Sequence, residues 1–239
     1  MKKIVIFSGA GVSKESGVET FRDSKDGLWN NYEISEVATP QGWKKDRGKV
    51  IQFYNERRKQ LPEVQPNEAH KKIAEMENKY NVTVVTQNVD DLHERGGSTN
   101  VLHLHGELTK ARGCIYDGKP SSKEFKVYDI GYNDINEGDK CEDTDSQLRP
   151  HIVWFEEYPF KVNEAYNAMT EADVLIIVGT SLQIGYTIDL LRSVNNDAKI
   201  YYVDPEPSRD LDWYQMTIDY RTKTAVEGIT EIYNELMTE

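Results

Sequence analysis

Two short stretches carry the side chains best suited to moving a proton. Thr86-Gln-Asn-Val-Asp-Asp-Leu-His93 places amides, carboxylates and an imidazole together, and His103-Leu-His-Gly-Glu107 follows soon after. An imidazole near its usual pKa of about 6.5 accepts a proton from a hydroxyl at neutral pH, which Lys and Arg cannot readily do. Alternation puts both histidines of the second stretch on one strand face. Gly106 lets the chain turn and leaves His105 at the strand end, where a cleft can reach it. His105 is therefore the candidate base, whereas His103, His70 and His151 read as structural histidines tied to backbone. Gln87 and Asn88 suit a carboxamide, donor to acceptor and acceptor to donor. Asn88 or Asp90 would equally serve as the cap of a following helix.

A third stretch, Ser8-Gly-Ala-Gly-Val-Ser-Lys-Glu-Ser-Gly-Val-Glu-Thr-Phe-Arg-Asp23, follows the apolar run Ile4–Phe7. Gly9 and Gly11 tolerate backbone conformations that a side chain forbids, so the loop can bring N–H groups to a pyrophosphate, and a helix beginning near Ser13 would add its positive end. These features point to a dinucleotide. The third glycine of G-x-G-x-x-G is missing, because Lys14 stands there, and no clear second strand delivers a ribose-binding acid about 20 residues on. An ordinary dehydrogenase is disfavoured.

The elements that must hold these residues are legible as alternating runs. β-rich segments recur at Ile4–Phe7, Val82–Thr86, Val101–Leu104, Val174–Val178 and Ile200–Val203, separated by helical spacing or capping signals, which implies a parallel sheet covered by helices. Asn67 can cap a helix through about Lys79, and Val226, Ile229, Ile232, Tyr233 and Leu236 recur at helical intervals. Val174–Val178 ends in Gly179-Thr-Ser181, which would present a second nucleotide contact at the same sheet edge. Between Leu108 and Pro150 neither a helical nor a strand period is sustained, and the segment reads as an inserted module. A second insertion spans about 25–66 and holds a helix with Val50, Phe53, Tyr54 and Arg57.

Composition bounds the rest. The 239 residues suffice for one large domain, and 41 acidic against 29 basic residues give a net charge of -12. That balance argues against general affinity for nucleic acid or an anionic membrane. No apolar run approaches the roughly 20 residues of a membrane span. Met-Lys-Lys and four apolar residues are too short for a signal peptide, and two cysteines make no disulfide framework, so a cytoplasmic setting is expected.

Taken in order, Gly9-Ala-Gly-Val-Ser with Ser16-Gly-Val and Phe21-Arg22, Thr86-Gln-Asn-Val-Asp-Asp-Leu-His, His103-Leu-His-Gly-Glu-Leu, Pro150-His-Ile-Val-Trp-Phe and Gly179-Thr-Ser-Leu-Gln resemble the sirtuin family. The resemblance spans most of the chain except roughly 111–147. It implies an α/β fold with a Rossmann-like parallel sheet, helices on both faces, and a smaller inserted module. The lobe would comprise about 1–24, 67–107 and 150–239, and the module about 25–66 and 108–149. It also implies NAD-dependent removal of acyl groups from protein lysines, yielding nicotinamide and an O-acyl-ADP-ribose. On this resemblance Gly9, Ala10, Gly11, Ser13, Phe21 and Arg22 belong to the cofactor loop and its lid. Gln87, Asn88 and Asp90 are ribose and carboxamide contacts, the last two acting with His105 in catalysis. Gly179, Thr180, Ser181, Asp204 and Ala225 lie toward the far half of NAD, and Val153 and Phe155 pair with the substrate backbone. His105 would take a proton from a ribose hydroxyl.

Tyr54 and Arg57 lie three apart on their helix and face one way. A guanidinium fork with a nearby phenol suits a carboxylate, and Tyr-x-x-Arg resembles the bacterial sirtuin subgroup that accepts acidic acyl groups. Succinyl or malonyl lysine is thus expected beside acetyl lysine. Other features depart from the family. Cys114-Ile-Tyr-Asp117 and Cys141-Glu-Asp-Thr144 each keep one cysteine of a Cys-x-x-Cys pair, so no structural zinc is expected. The module would instead pack on Tyr116, Phe125, Val127, Tyr128 and Tyr132. Glu156 stands where the family has glycine and puts a charge near the peptide groove, Glu19 replaces a proline, and Asp204 replaces an asparagine. Two rival readings remain: ADP-ribose transfer or NAD hydrolysis at the same site, and a non-catalytic NAD-sensing module.

Overall fold

Strands form where apolar residues run unbroken. The computed structural model describes residues 1–18, 32–114, 126–142, 144–214 and 216–238. Along the chain its strands are β1 (Lys3–Ser8), β2 (Asn81–Thr86), β3 (Val101–His103), β4 (Gly106–Gly113), β5 (Val127–Asp129), β6 (Leu148–Ile152), β7 (Val174–Val178), β8 (Lys199–Val203) and β9 (Ile218–Arg221). The α-helices are α1 (Gly11–Lys14), α2 (Ile34–Val37), α3 (Pro40–Lys45), α4 (Arg47–Gln60), α5 (Glu68–Glu75), α6 (Leu92–Arg95), α7 (Val162–Thr170), α8 (Gly185–Arg192) and α9 (Ala225–Thr238).

Six strands make one parallel sheet in the order β3-β2-β1-β7-β8-β9. Successive side chains of a strand point to opposite faces, so Ile4 and Ile6 face one layer and Val5 and Phe7 the other. The first layer is closed by α5 and α9, through Ile73, Ile229 and Ile232. On the opposite side α7 and α8 contribute Ala165, Met169, Leu190 and Leu191 against Val5, Phe7 and Ile177. Each such fully buried Ile, Leu or Phe side chain contributes about 1.5–3 kcal/mol. At the start of α5 the Asn67 side chain accepts from the Ala69 N–H at 2.9 Å, and His70 Nδ1 accepts the Asn67 N–H at 3.3 Å, a reciprocal cap.

The segment expected to lack a strand period contains a three-stranded antiparallel sheet of order β5-β4-β6. Its pattern is hidden because Gly106-Glu-Leu-Thr-Lys-Ala-Arg-Gly113 is mostly small or charged, and because the pairing of β4 with β6 shifts register between Glu107 and Ala111. The sheet begins at Gly106 and ends at Ile152, slightly outside the 108–149 limits expected for the module. A third core joins Val50, Phe53 and Tyr54 of α4 to Leu108, Ala111, Ile135, Ile152 and Trp154. Both insertions therefore share one core. Val127 and Tyr132 were expected inside it, yet they are 42% and 40% exposed. Tyr132 donates instead to Asp91 at 2.6 Å, and Tyr128 accepts the Glu142 N–H at 3.0 Å. Tyr116 and Phe125 lie outside the described residues.

Candidate active site

Strand order reverses at β1, with β2 and β3 on one side and β7 to β9 on the other. Loops leaving the carboxyl ends of neighbouring strands part at such a point and open a crevice. Ser8, Thr86 and Val178 end three adjacent strands in register, so Gly9, Gln87 and Gly179 emerge side by side. A cleft of about 630 Å³ runs from these loops to α4 and the segment 152–159.

The glycines act differently from expectation. The Gly9 N–H donates to the Val178 carbonyl at 3.0 Å and the Gly11 N–H to the Gly179 carbonyl at 2.8 Å, so neither is turned to a pyrophosphate. Their role is close approach. A Cβ on Gly11 would stand 2.6 Å from the Gly179 Cα, and one on Gly9 would stand 2.7 Å from the Thr180 Cβ. Gly179 itself has φ +63° and donates to the Val203 carbonyl at 3.0 Å. The helix expected near Ser13 is the single turn α1, starting at Gly11, too short to offer much of a dipole.

Beneath this junction a polar chain fixes the site. The Ser13 hydroxyl donates to Asp90 Oδ2 at 3.0 Å and accepts from the Asn88 amide at 3.1 Å. Asp90 Oδ1 accepts the Leu92 N–H at 3.1 Å, so this carboxylate also ties down the start of α6. Burial raises the Asp90 carboxyl above its ordinary pKa, with the Leu92 and Ser13 bonds opposing. The Thr180 hydroxyl donates to Gln87 Oε1 at 2.9 Å, which bridges the β2 and β7 loops.

His105 sits just beyond β3. Its Nδ1 is 3.0 Å from the Gln87 carbonyl, which only accepts, so the proton is on Nδ1 and the neutral ring carries its lone pair on Nε2. Burial pushes this imidazole down to about 4 even though the carbonyl bond raises it. At neutral pH it is an unprotonated base. Its Nε2 meets the Tyr186 hydroxyl of α8 at 2.6 Å. Tyr186 was missing from the expected residues, since nothing in the sequence links positions 81 apart.

Of the histidines read as tied to backbone, His103 and His70 are so bonded, whereas His151 is held by ring stacking. His103 Nδ1 lies 2.8 Å from the Asn88 carbonyl and Nε2 lies 2.7 Å from Glu94 Oε1, so both nitrogens carry protons. Burial lowers its pKa, but the Glu94 carboxylate outweighs that and the net shift is upward. Glu94, His103 and Glu107 bring ligand-type atoms within 4.8 Å of one another, with both His103 nitrogens engaged by Asn88 and Glu94. His70 shares an edge-to-face contact with buried His93 at 4.9 Å, and His151 stacks on Phe160 at 4.5 Å.

At the other end of the cleft are Tyr54 and Arg57 of α4. Tyr54 is 2% exposed, and burial pushes its phenol up to about 12 although Arg57 and Arg149 pull it down. The Arg57 guanidinium lies 5.6 Å from the Phe53 ring centre. Arg149, buried behind Trp154, is neutralised by Glu157 at 2.7 Å. Val153 and Phe155 line the rim, and their N–H groups donate to the carbonyls of His105 and Ala38, both at 2.9 Å. Glu156 has φ +74°, the left-handed conformation that favours the glycine expected there, and its Oε2 accepts from the Gln41 amide at 2.8 Å.

Gly9, Ala10, Gly11, Ser13, Gln87, Asn88, Asp90, His105, Gly179, Thr180 and Ser181 thus share one cleft with Tyr54, Arg57, Val153 and Phe155. Asp204 and Ala225 are buried and do not line it, and Asp204 Oδ1 accepts the Glu206 N–H at 2.9 Å. Phe21 and Arg22 lie outside the described residues. In the small module Cys141 Sγ meets the Thr144 hydroxyl at 2.8 Å and the Cys114 N–H donates to the Ser146 hydroxyl at 3.0 Å. Among the described residues, two thiols beside hydroxyls do not supply the thiolate and imidazole set that structural zinc prefers.

Comparison with known proteins agrees with this geometry. The model of the Sir2 family matches residues 9–185. An NAD-dependent protein deacylase of Helicobacter pylori is 52% identical over 206 residues, 86% of each chain. One of Bacteroides thetaiotaomicron is 45% identical over 234 residues, 97% of each chain. A Sir2 homologue solved with NAD superposes with a TM-score of 0.82 at 35% identity, covering 99% of this chain and 90% of the other. A mutant Sir2 homologue solved with ADP-ribose gives a TM-score of 0.84 at 35% identity, covering 99% and 92%.

Proposed function

This chain belongs to the Sir2 family, and from that premise we infer an NAD-dependent protein-lysine deacylase with NAD at the β1–β7 end of the cleft and the acyl-lysine reaching in from the rim. The observation that carries the reading is His105, a cleft-lining neutral imidazole whose Nδ1–H is held by a carbonyl, which leaves Nε2 as the acceptor. The donor set suits NAD. Gln87 and Asn88 offer amides to a carboxamide, Asp90 an acceptor to hydroxyls, and Thr180 and Ser181 hydroxyls to the far half. When bound, NAD would supply the ribosyl carbon that takes the acyl oxygen as its bond to nicotinamide breaks. His105 receives a proton at Nε2 from a ribose hydroxyl, and the Gln87 carbonyl keeps its ring oriented while it does so. Ser13 holds Asn88 and Asp90 in one constellation, so neither amide nor carboxylate must be ordered on binding.

Besides acetyl, the acyl end takes succinyl and malonyl groups, with Tyr54 and Arg57 reading the terminal carboxylate. Support comes from their common position on the cleft wall. Charge-assisted bonds favour the acidic acyl over its neutral counterpart. Val153 and Phe155 edge the groove for the substrate backbone, and the two lobes would be the sheet with its helices and the module sharing the third core.

Mass spectrometry of matched acetyl- and succinyl-lysine peptides, with and without NAD, tests the assignment. NAD-dependent release of lysine from both, with stoichiometric nicotinamide, is the expected result. Nicotinamide appearing without deacylated peptide would transfer the assignment to ADP-ribose transfer or NAD hydrolysis.

A further inference from the structure

The hydroxyl of Tyr186 already occupies the one position on His105 that a reacting hydroxyl needs. A neutral imidazole has a single lone pair, here on Nε2 because the Gln87 carbonyl holds the proton on Nδ1. Tyr186 reaches that lone pair at 2.6 Å, with the two rings edge to face at 6.1 Å. The phenol must be the donor, since the nitrogen has no proton to give. One lone pair cannot accept two such bonds in good geometry, so a substrate hydroxyl and Tyr186 exclude one another. Tyr186 lies in the first turn of α8, packs partly against the second core and lines the cleft, into which its phenol can swing.

We propose that Tyr186 is a positioning residue that stands in for the ribose hydroxyl, holding His105 in its reactive tautomer at rest and yielding Nε2 when the cofactor's ribose arrives. The proposal rests on His105 being the base, and it adds what the base does between turnovers. Two consequences follow from the exclusion. NAD binding includes breaking the tyrosine bond, so the affinity of the free enzyme is reduced by the strength of that bond. The bond also stabilises neutral His105 in the free enzyme alone, because in the complex the phenol has moved away. The groups facing the ring are the Gln87 carbonyl after β2 and the Tyr186 phenol of α8. No charged side chain among the described residues contributes to the shift of His105.

Tyr186→Phe, which keeps the ring and removes the donor, tests this. The KM for NAD should fall roughly threefold to tenfold, the range for loss of one competing hydrogen bond. The acid limb of kcat/KM for NAD, which reports the free enzyme, should move up by about one pH unit, whereas the acid limb of kcat, which reports the complex, should stay where it is. Histidine ¹⁵N NMR of the protein without NAD gives a readout independent of turnover, in which the variant should titrate His105 at higher pH. A packing role alone would not split the two limbs. If kcat falls with KM unmoved, or if both limbs shift together, or if the NMR titration is the same in both proteins, the stand-in role is wrong. His105→Ala separates the premise: turnover persisting in that variant removes His105 as the base, whereas its loss together with an unsplit Tyr186→Phe profile removes the tyrosine proposal only.

Discussion

At the scale of single residues the site is a set of side chains whose neighbours decide their state. His105→Ala should lower turnover by about 10²–10⁴-fold, the usual worth of a positioned base, while isothermal titration still records NAD binding. Arg57→Met should lower the ratio of desuccinylation to deacetylation by more than about tenfold, read as kcat/KM on paired peptides. Equal losses on both substrates would remove Arg57 as the carboxylate reader. Glu156 is a different case, because its left-handed backbone strains any residue with a Cβ. Glu156→Gly should raise stability by about 0.5–1 kcal/mol in urea titration despite losing the Gln41 bond. Most of these residues were legible in the sequence, because residue type and position after a strand sufficed to nominate them. Tyr186 was not, since its role exists only through a contact between α8 and the turn after β3. Asp204 and Ala225 were named by resemblance, and both are buried, just after β8 and at the start of α9.

At the scale of elements, the β1 and β7 loops work as one unit pressed together. Gly11→Ala would set a methyl 2.6 Å from the Gly179 Cα, and backbone must move to admit it. The expected cost is about 1–3 kcal/mol in thermal or urea unfolding, with weakened NAD binding in the same variant. The sheet strands were readable because burial on both faces leaves continuous apolar runs, as in Val174–Val178. β4 was unreadable for the opposite reason: in a strand of small and charged residues with a shift of register, periodicity has little to register. α1 was overestimated because glycine and serine mark a turn into a helix without stating how far that helix runs.

Across the whole molecule the histidines set a shared response to acid. Burial holds His70 and His105 down to about 4, His151 down to about 3 with Arg112 and Lys110 adding to the effect, and His93 well below its ordinary value. A folded pKa below the unfolded one means the unfolded chain binds more protons, so this stability is complete above about pH 6.5 and declines as pH falls toward 4. His103 works in the other direction through Glu94, stabilising the fold below its raised pKa. Four against one, the balance predicts that unfolding free energy drops by at least about 3 kcal/mol between pH 7.5 and pH 5, with net proton uptake on unfolding. Urea titrations at the two pH values measure it.

The central place of β1 carries a further consequence in time. Ile4 pairs with Val82 on one side and with Val174 on the other, so during synthesis β1 must wait for a partner far down the chain. Non-local parallel pairing of this kind is slow and leaves an apolar strand edge open meanwhile. A nascent chain halted before Val174 has no β7, no Gly179 to receive Gly11, and hence no crevice for a nucleotide. NAD can therefore act on the fold only after β7 has been made.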